Sequence, residues 1–395
     1  MPLACCPSSC KSYIPALLVI LGLFVWASPC LAEDMSKIDL WTQGTVLRGA
    51  NIWQSKSYGV IEQVEGRHVG PAFTQADFDL LADLGANLVH ISHTGLFDEN
   101  GTPDLAAAEN LDGLLDKIEA ADMFAVIAFR TGPGRNEFTF VRDEAGDWFD
   151  ESQLDERVIS DPTLQAMWAD MWRFTAERYQ DNPIVVGYNL IVEPNANEIL
   201  ANGNEAYYSP ETFYPEIRGT DADWNLWHRP LVAAIREVDP YTPILVGTES
   251  YAAAGWIAYL EAVRDERLVV DIHPYEPYEY VFQCMLGEMH WPGMTDLDWD
   301  GEDEMADGAW LLEFLADAHE YDQGIGPVAA MEYGAQRCSL DMDIYITDMI
   351  AALETYGFNH AVWAWFPEGY SQWGDEFLVR RSQDLNDHQD YTDTP

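Results

Sequence analysis

The sequence predicts a (β/α)8 barrel, and three observations carry that prediction. Eight short β-branched apolar runs recur along the chain, amphipathic helical stretches separate them, and no Gly-rich phosphate loop follows any early run. Near-continuous apolar strands require a sheet covered on both faces, and eight strand–helix units in one domain close into a barrel. An open doubly wound sheet is the alternative, weakened by the missing phosphate loop. A folded chain is assured, because 48% of the 395 residues are hydrophobic and 13% aromatic.

The elements follow in order. The first run, 46–52, is followed by helical 76–84, whose apolar residues recur at three- and four-residue spacing. The second run, 87–92, leads to the helix pattern of 111–121, and the third, 124–130, to that of 168–178. The remaining runs are 184–191, 243–247, 268–273, 327–331 and 360–365. Long connections after the third, fourth and sixth runs are where a barrel enzyme shapes its cleft. The whole is read as a single domain with long βα loops, residues 33–378, followed by an acidic C-terminal tail, 379–395.

Residues 1–32 stand apart. They hold no acid, one lysine and an apolar run from Ile14 to Trp26, too short for a membrane span and suited to a signal-peptide core cleaved after Ala32. An uncleaved anchor is the alternative, and Pro29 before Cys30 disfavours a lipoprotein. Four of six cysteines leave with this segment. Cys284 and Cys338 remain, either paired in an exported chain or as two buried thiols.

The charge excludes whole classes of partner. With 68 Asp+Glu against 20 Lys+Arg the formal net charge is -48, which repels nucleic acid, anionic lipid and polyanionic glycans. A neutral partner fits. Acids scattered along the whole chain read as a solvated surface adapted to high salt, with an ordinary acidic secreted protein as the alternative. No cofactor is expected, no membrane contact after removal of the leader, and a monomer.

Barrel chemistry sits where strands end. The fourth run ends in Val192-Glu193-Pro194-Asn195 and the seventh in Met331-Glu332-Tyr333-Gly334. Two carboxylates therefore face one mouth, the arrangement that retaining glycoside hydrolysis needs, with one group protonating the leaving oxygen and the other attacking the anomeric carbon.

The segment from Trp172 to Pro194 resembles the helix and fourth strand of glycoside hydrolase family 5, the cellulase family of clan A. Leu47-Arg-Gly-Ala-Asn51, Ala234 to Pro240, Asp271-Ile-His-Pro-Tyr275, Glu332 and Trp365 resemble its other motifs in order, over about residues 45–370. The resemblance implies Glu193 as acid/base and Glu332 as nucleophile. It places His273 near the acid/base, Tyr275 on the nucleophile and Trp365, in preference to Trp363, under the sugar ring. Asn51, Trp227 and Trp291 complete the expected substrate-binding set. The implied activity is an endo-β-1,4-glucanase on neutral β-linked polysaccharide or oligosaccharide. A β-mannanase or exo-β-glucosidase is the nearest rival, and a catalytically silent carbohydrate-binding barrel the rival of a different class.

Three departures stand out. Val192 occupies the place of the family's Asn, which bonds the sugar 2-hydroxyl. His90 stands where strand two usually carries Arg, and Arg130 where strand three usually carries His, so the two are expected to have exchanged places beside the nucleophile.

Metal readings are weaker. His90 and His93, three apart on a strand, lie on opposite faces. Asp296, Asp298 and Asp300 resemble the start of a calcium loop, but Asp303 and Asp307 break its pattern, which leaves a hydrated loop as the main reading. Loop aromatics, among them Phe138, Trp148, Tyr207, Trp224, Tyr278 and Trp299, offer flat surfaces for sugar C–H faces, although most are expected to fill space.

Overall fold

A computed structural model describes residues 36–54, 70–98, 100–130, 161–196, 209–220, 222–261, 265–286, 289–297, 300–368 and 375–381, together with 370 and 384. Eight parallel strands close a barrel in the order β1-β10-β9-β6-β5-β4-β3-β2. They are β1 Arg48–Gln54, β2 Leu88–His93, β3 Phe124–Phe129, β4 Val185–Asn189, β5 Ile244–Gly247, β6 Leu268–Ile272, β9 Val328–Ala330 and β10 Asn359–Val362. The expected barrel is thus the observed one, and its seventh and eighth strands are β9 and β10. An antiparallel hairpin of β7, Gly293–Thr295, and β8, Glu304–Ala306, lies between β6 and β9.

Pleat alternation divides the apolar residues between two cores. Leu47, Leu88, Phe124, Val126, Val186, Leu245, Val269, Ala329 and Met331 fill the barrel interior, together with Leu40 and Trp41 of the turn that precedes β1. Trp41 donates its indole N–H to the Val186 carbonyl at 2.9 Å, closing the end of the barrel away from the site. Asn359 ties this end together, accepting from the Val46 and Leu47 amides at 2.8 and 2.7 Å and donating to the Leu40 carbonyl at 3.0 Å. The opposite strand faces, including Val89, Ile91, Ile127, Phe129 and Tyr188, pack under helices through residues such as Phe78, Leu111, Leu114, Trp168 and Trp172. Gly49 is required by this closure, since a Cβ there would stand 1.8 Å from the Leu88 carbonyl oxygen.

Some of the acid surplus is spent on helix starts. Asp104, Asp161, Asp223 and Asp307 accept from backbone amides of the first turns of the helices Leu105–Ala120, Pro162–Tyr179, Trp224–Arg236 and Gly308–Phe314. A carboxylate there satisfies orphan donors and meets the positive end of the helix dipole. The fold also runs past the expected boundary at 378. Arg380 and Arg381 are buried, and Arg380 bonds Asp77 at 3.1 Å, so these residues belong to the fold and not to a solvated tail. Among the described residues no helix is long and apolar enough to cross a membrane.

Candidate active site

The strands stop short of the catalytic side chains, which project from the turns just beyond them. Glu193 lies four residues past the end of β4 with a φ of 61°, a left-handed conformation that costs a side-chain-bearing residue roughly 1–2 kcal/mol. Two features brace it. Gly247 at the end of β5 leaves room for Pro194, whose Cδ would stand 3.0 Å from a Cβ at that position. Beyond it Ser250, Tyr251 and Ala252 all have positive φ; the Tyr251 amide donates to the Pro194 carbonyl at 3.0 Å, and the Ala252 carbonyl accepts from the His273 amide at 2.7 Å. This turn joins the Glu193 loop to β6, and without a glycine in it nothing in the sequence announces it.

Glu332, two residues past β9, is buried. Arg130, one past β3, donates from Nη2 to its Oε1 at 3.3 Å, and the Tyr275 hydroxyl donates to Oε2 at 3.2 Å. His273 Nδ1 lies 3.1 Å from Glu193 Oε1 and 3.8 Å from Glu332 Oε2. Single ligand atoms of Glu193, His273 and Glu332 all fall within 4.8 Å of one another. Five of the expected residues therefore meet at one point, drawn from five strand ends.

Burial pushes the Glu332 carboxyl up to about 7; His273 and Arg130 pull against that, and Glu193 adds like-charge repulsion. The His273 imidazole is penalised by burial, but Asp271 and Glu332 outweigh this and raise it well above its ordinary value. Burial and the Glu332 charge keep the Tyr275 hydroxyl protonated, so it can only donate to that carboxylate. Burial drives His90 down to about 3, leaving it neutral.

Other expected residues lie elsewhere. His90 faces the barrel interior but not Glu332: its Nδ1 lies 2.5 Å from Asn51 Oδ1, and its Nε2 lies 3.2 Å from Asn189 Nδ2. Arg130 has taken the place beside the nucleophile, yet the imidazole next to it is that of His273. Asn51 is fully buried and spends its amide on the Met331 carbonyl at 2.6 Å, so it supports the barrel and meets no substrate. His93 points the other way, towards Asn110 of the helix Leu105–Ala120, as the spacing required.

The tryptophan assignment is corrected. Trp365 is buried in the outer core, its indole bonded to the Asp77 carbonyl at 3.0 Å and Arg380 over its ring at 4.6 Å. Trp363 is the one at the mouth, with the Arg130 guanidinium 4.8 Å above its ring. The two were expected to share a face, but β10 ends at Val362, so pleat alternation no longer governs them. Trp291 is likewise core, packed on Tyr280 and Tyr345 and bonded to Asp348. The Trp227 side chain and Asp298 lie outside the described residues, as do Phe138, Trp148, Tyr207 and Trp299. Asp296 accepts from the Asp300 and Gly301 amides at 3.0 and 2.8 Å, so its two oxygens close its own loop, and Asp300 accepts from the Glu302 amide. Cys284 and Cys338 form a disulfide.

Comparison with known proteins completes the description. A family model described as Cellulase (glycosyl hydrolase family 5) matches residues 52–369. An endoglucanase of Paenibacillus polymyxa is 23% identical over 284 residues, which make up 66% of this chain and 61% of that protein. An endoglycoceramidase of Cyanea nozakii is 33% identical over 120 residues, 29% of this chain and 22% of that protein. The chain thus spans about three-fifths of the first relative and less of the second. Among solved structures, a hyperthermophilic endo-β-1,4-glucanase in complex with substrate matches with a TM-score of 0.59 at 16% identity, covering 90% of this chain and 99% of that one. Thermotoga maritima Cel5A in complex with mannotriose matches with a TM-score of 0.58 at 16% identity, covering 84% and 94%.

Proposed function

The chain belongs to glycosyl hydrolase family 5, the cellulase family, and on that premise we propose that it is a retaining endo-β-1,4-glucanase acting on a neutral polymer. The observation that carries this reading is the pair of carboxylates at one mouth, with oxygens within 4.8 Å and unlike surroundings. Retaining enzymes hold their carboxyl groups about 5 to 5.5 Å apart, inverting ones about 6.5 to 9.5 Å, to admit a water.

The surroundings divide the roles. Glu332 accepts from a guanidinium and a phenol, two fixed donors that favour the anion and aim it as a nucleophile. Glu193 is held by His273 and keeps some exposure, 12% of its side chain, as a group that must exchange protons with substrate and water requires. In the first step a Glu332 oxygen bonds to the anomeric carbon as the C–O bond to the leaving sugar breaks, and the Glu193 proton goes to the departing oxygen. In the second, water attacks the same carbon, its proton passes to Glu193, and the ester bond to Glu332 breaks. Trp363 lies where a sugar ring would stack. Val192 is buried and apolar, so the sugar 2-hydroxyl takes no hydrogen bond from this position.

β-Mannan is the second substrate reading, because a structural neighbour was solved with mannotriose. The acid-rich surface favours an uncharged polymer and saline surroundings. Export is part of the proposal, supported by the apolar leader and by the Cys284–Cys338 disulfide, which suits an oxidising compartment. Hydrolysis of carboxymethyl cellulose, mannan, xylan and β-1,3-glucan, with and without molar salt, tests substrate and salt together, and the anomer first released reports retention. Glu193→Gln and Glu332→Gln should each abolish turnover and leave binding. Sugar binding without turnover in the wild type would leave a carbohydrate-binding barrel instead.

A further inference from the structure

One carboxylate outside the reacting pair touches both halves of the site. Asp271, on β6, is buried with its two oxygens turned different ways. Oδ2 lies 3.2 Å from His273 Nε2 and accepts from Asn189 Nδ2 at 2.6 Å. Oδ1 accepts from the Met331 amide, one residue before Glu332, at 3.0 Å. The Met331 carbonyl is gripped from the other side by Asn51 Nδ2 at 2.6 Å. Polar contacts therefore run in an unbroken line from Asn51 through His90, Asn189 and Asp271 to His273 and Glu193.

The donor inventory fixes the protons along that line. Asn189 Nδ2 has two hydrogens, one for Asp271 and one for His90, so His90 Nε2 must accept and its Nδ1 must carry the proton given to Asn51. A carboxylate can only accept, so His273 Nε2 must also carry a proton. His273 can then offer its Nδ1 hydrogen to Glu193 only as long as it bears both protons, or the Nδ1 proton once the Asp271 hold is lost.

We propose that Asp271 is a positioning residue that sets the protonation of His273 under Glu193 and, from its other oxygen, the backbone that carries Glu332. Its loss therefore mis-sets both carboxylates at once. The proposal rests on the roles given to Glu193 and Glu332 above, but its first test does not need a substrate. The charged and titratable groups around Asp271 and His273 are His90 on β2, Arg130 past β3, Glu193 past β4, Tyr275 past β6 and Glu332 past β9, and all act in the comparison below.

The test is imidazole nitrogen NMR of the full chain, with the His273 signals identified by their loss in His273→Gln, alongside pH–rate profiles. In the wild type His273 Nε2 should stay protonated from pH 5 to 8; a bare Nε2 in that range overturns the proposal without any variant. In Asp271→Asn, His273 should titrate at lower pH. There kcat should fall about 10- to 100-fold, the range typical for loss of a group that orients a reacting one, with KM within about threefold. An unchanged His273 titration in Asp271→Asn overturns the proposal even if activity falls, because the loss is then structural. Wild-type chain that hydrolyses none of the glycans defeats the proposed function and leaves the NMR outcome to decide this inference alone.

Discussion

Replacing Arg130 with Met removes the one guanidinium on the nucleophile while keeping an unbranched apolar stem against Trp363. Arg130 Nη2 and Glu332 Oε1 lie 3.3 Å apart with both side chains buried. At an effective dielectric of about 20, that separation is worth about 5 kcal/mol before the guanidinium's desolvation is counted against it. Measured effects of one opposite charge on a carboxyl are smaller, about 1 to 3 pH units, or roughly 1.4 to 4 kcal/mol. The sign follows from the surroundings. Burial already pushes Glu332 up to about 7 and Arg130 opposes it, so removing Arg130 raises it further and depletes the anion that must attack. The acid limb of kcat/KM on a soluble cello-oligosaccharide should therefore move up by about 1 to 3 pH units, with 10- to 1,000-fold loss at pH 6 and recovery above pH 9. Arg130→Lys, which keeps the charge but not the geometry, should move it less. A profile that keeps its limb and drops uniformly would refute this account and make Arg130 a substrate contact instead.

The two tryptophans past β10 should separate by assay: Trp363→Ala lowers kcat/KM on glucan, whereas Trp365→Ala costs about 3 to 5 kcal/mol in urea unfolding, as for a buried aromatic. The reverse pattern would restore Trp365 to the mouth. The Glu276 carboxyl, with Oε2 unpartnered, is pushed up to about 8 by burial. A carboxyl raised in the folded state adds stability below its unfolded value near 4.5 and loses it as pH rises through 8, so Glu276→Gln should flatten the stability curve between pH 5 and 8 by on the order of 2 kcal/mol. Parallel wild-type and variant curves would remove that role. Opening the Cys284–Cys338 bridge, which closes a separation of 54 residues, should lower unfolding stability by about 4 kcal/mol on chain entropy alone, read from urea midpoints with and without reductant. Identical midpoints would show that the bridge restrains nothing that unfolding releases.

The barrel was legible because both its cores obey local rules. Runs such as Phe124–Phe129 alternate inward Phe124 and Val126 with outward Ile127 and Phe129, and the helical stretches show one apolar stripe each. Glu193 and Glu332 were legible because a carboxylate after an apolar strand has no structural purpose there. What failed did so where alternation stops. Trp363 and Trp365 lie past the end of β10, and Glu193 four residues past β4, where parity of spacing no longer says which way a side chain turns. Asn51 failed differently: it does point inward, but one level too deep, and spacing does not measure depth. Asp271 could have been found, since an acid two residues before His273 on a buried strand must share its face.

The relation between His90 and Arg130 follows from charge within the barrel. Around the mouth stand the carboxylates of Asp271 and Glu332, the Arg130 guanidinium, an imidazole in His273 that its neighbours favour as a cation, and Glu193. Two cations against two of the three acids leave the count balanced when one proton remains on the reacting pair, which is the state that acid/base catalysis needs. A charged residue at position 90 would upset that balance, because a third cation in a dry interior favours ionising the last carboxyl and removes the proton to be delivered. Once Arg stands on strand three, strand two must therefore be neutral, and His90 is neutral for a physical reason: burial depresses it to about 3, and nearby Arg130 and His273 lower it further. What His90 supplies is a hydrogen bond at each end, to Asn51 and Asn189, so that the floor beneath Asp271 is satisfied without adding charge. The two positions did not trade a common task; Arg130 took over the contact with the nucleophile, and His90 was thereby confined to carrying structure.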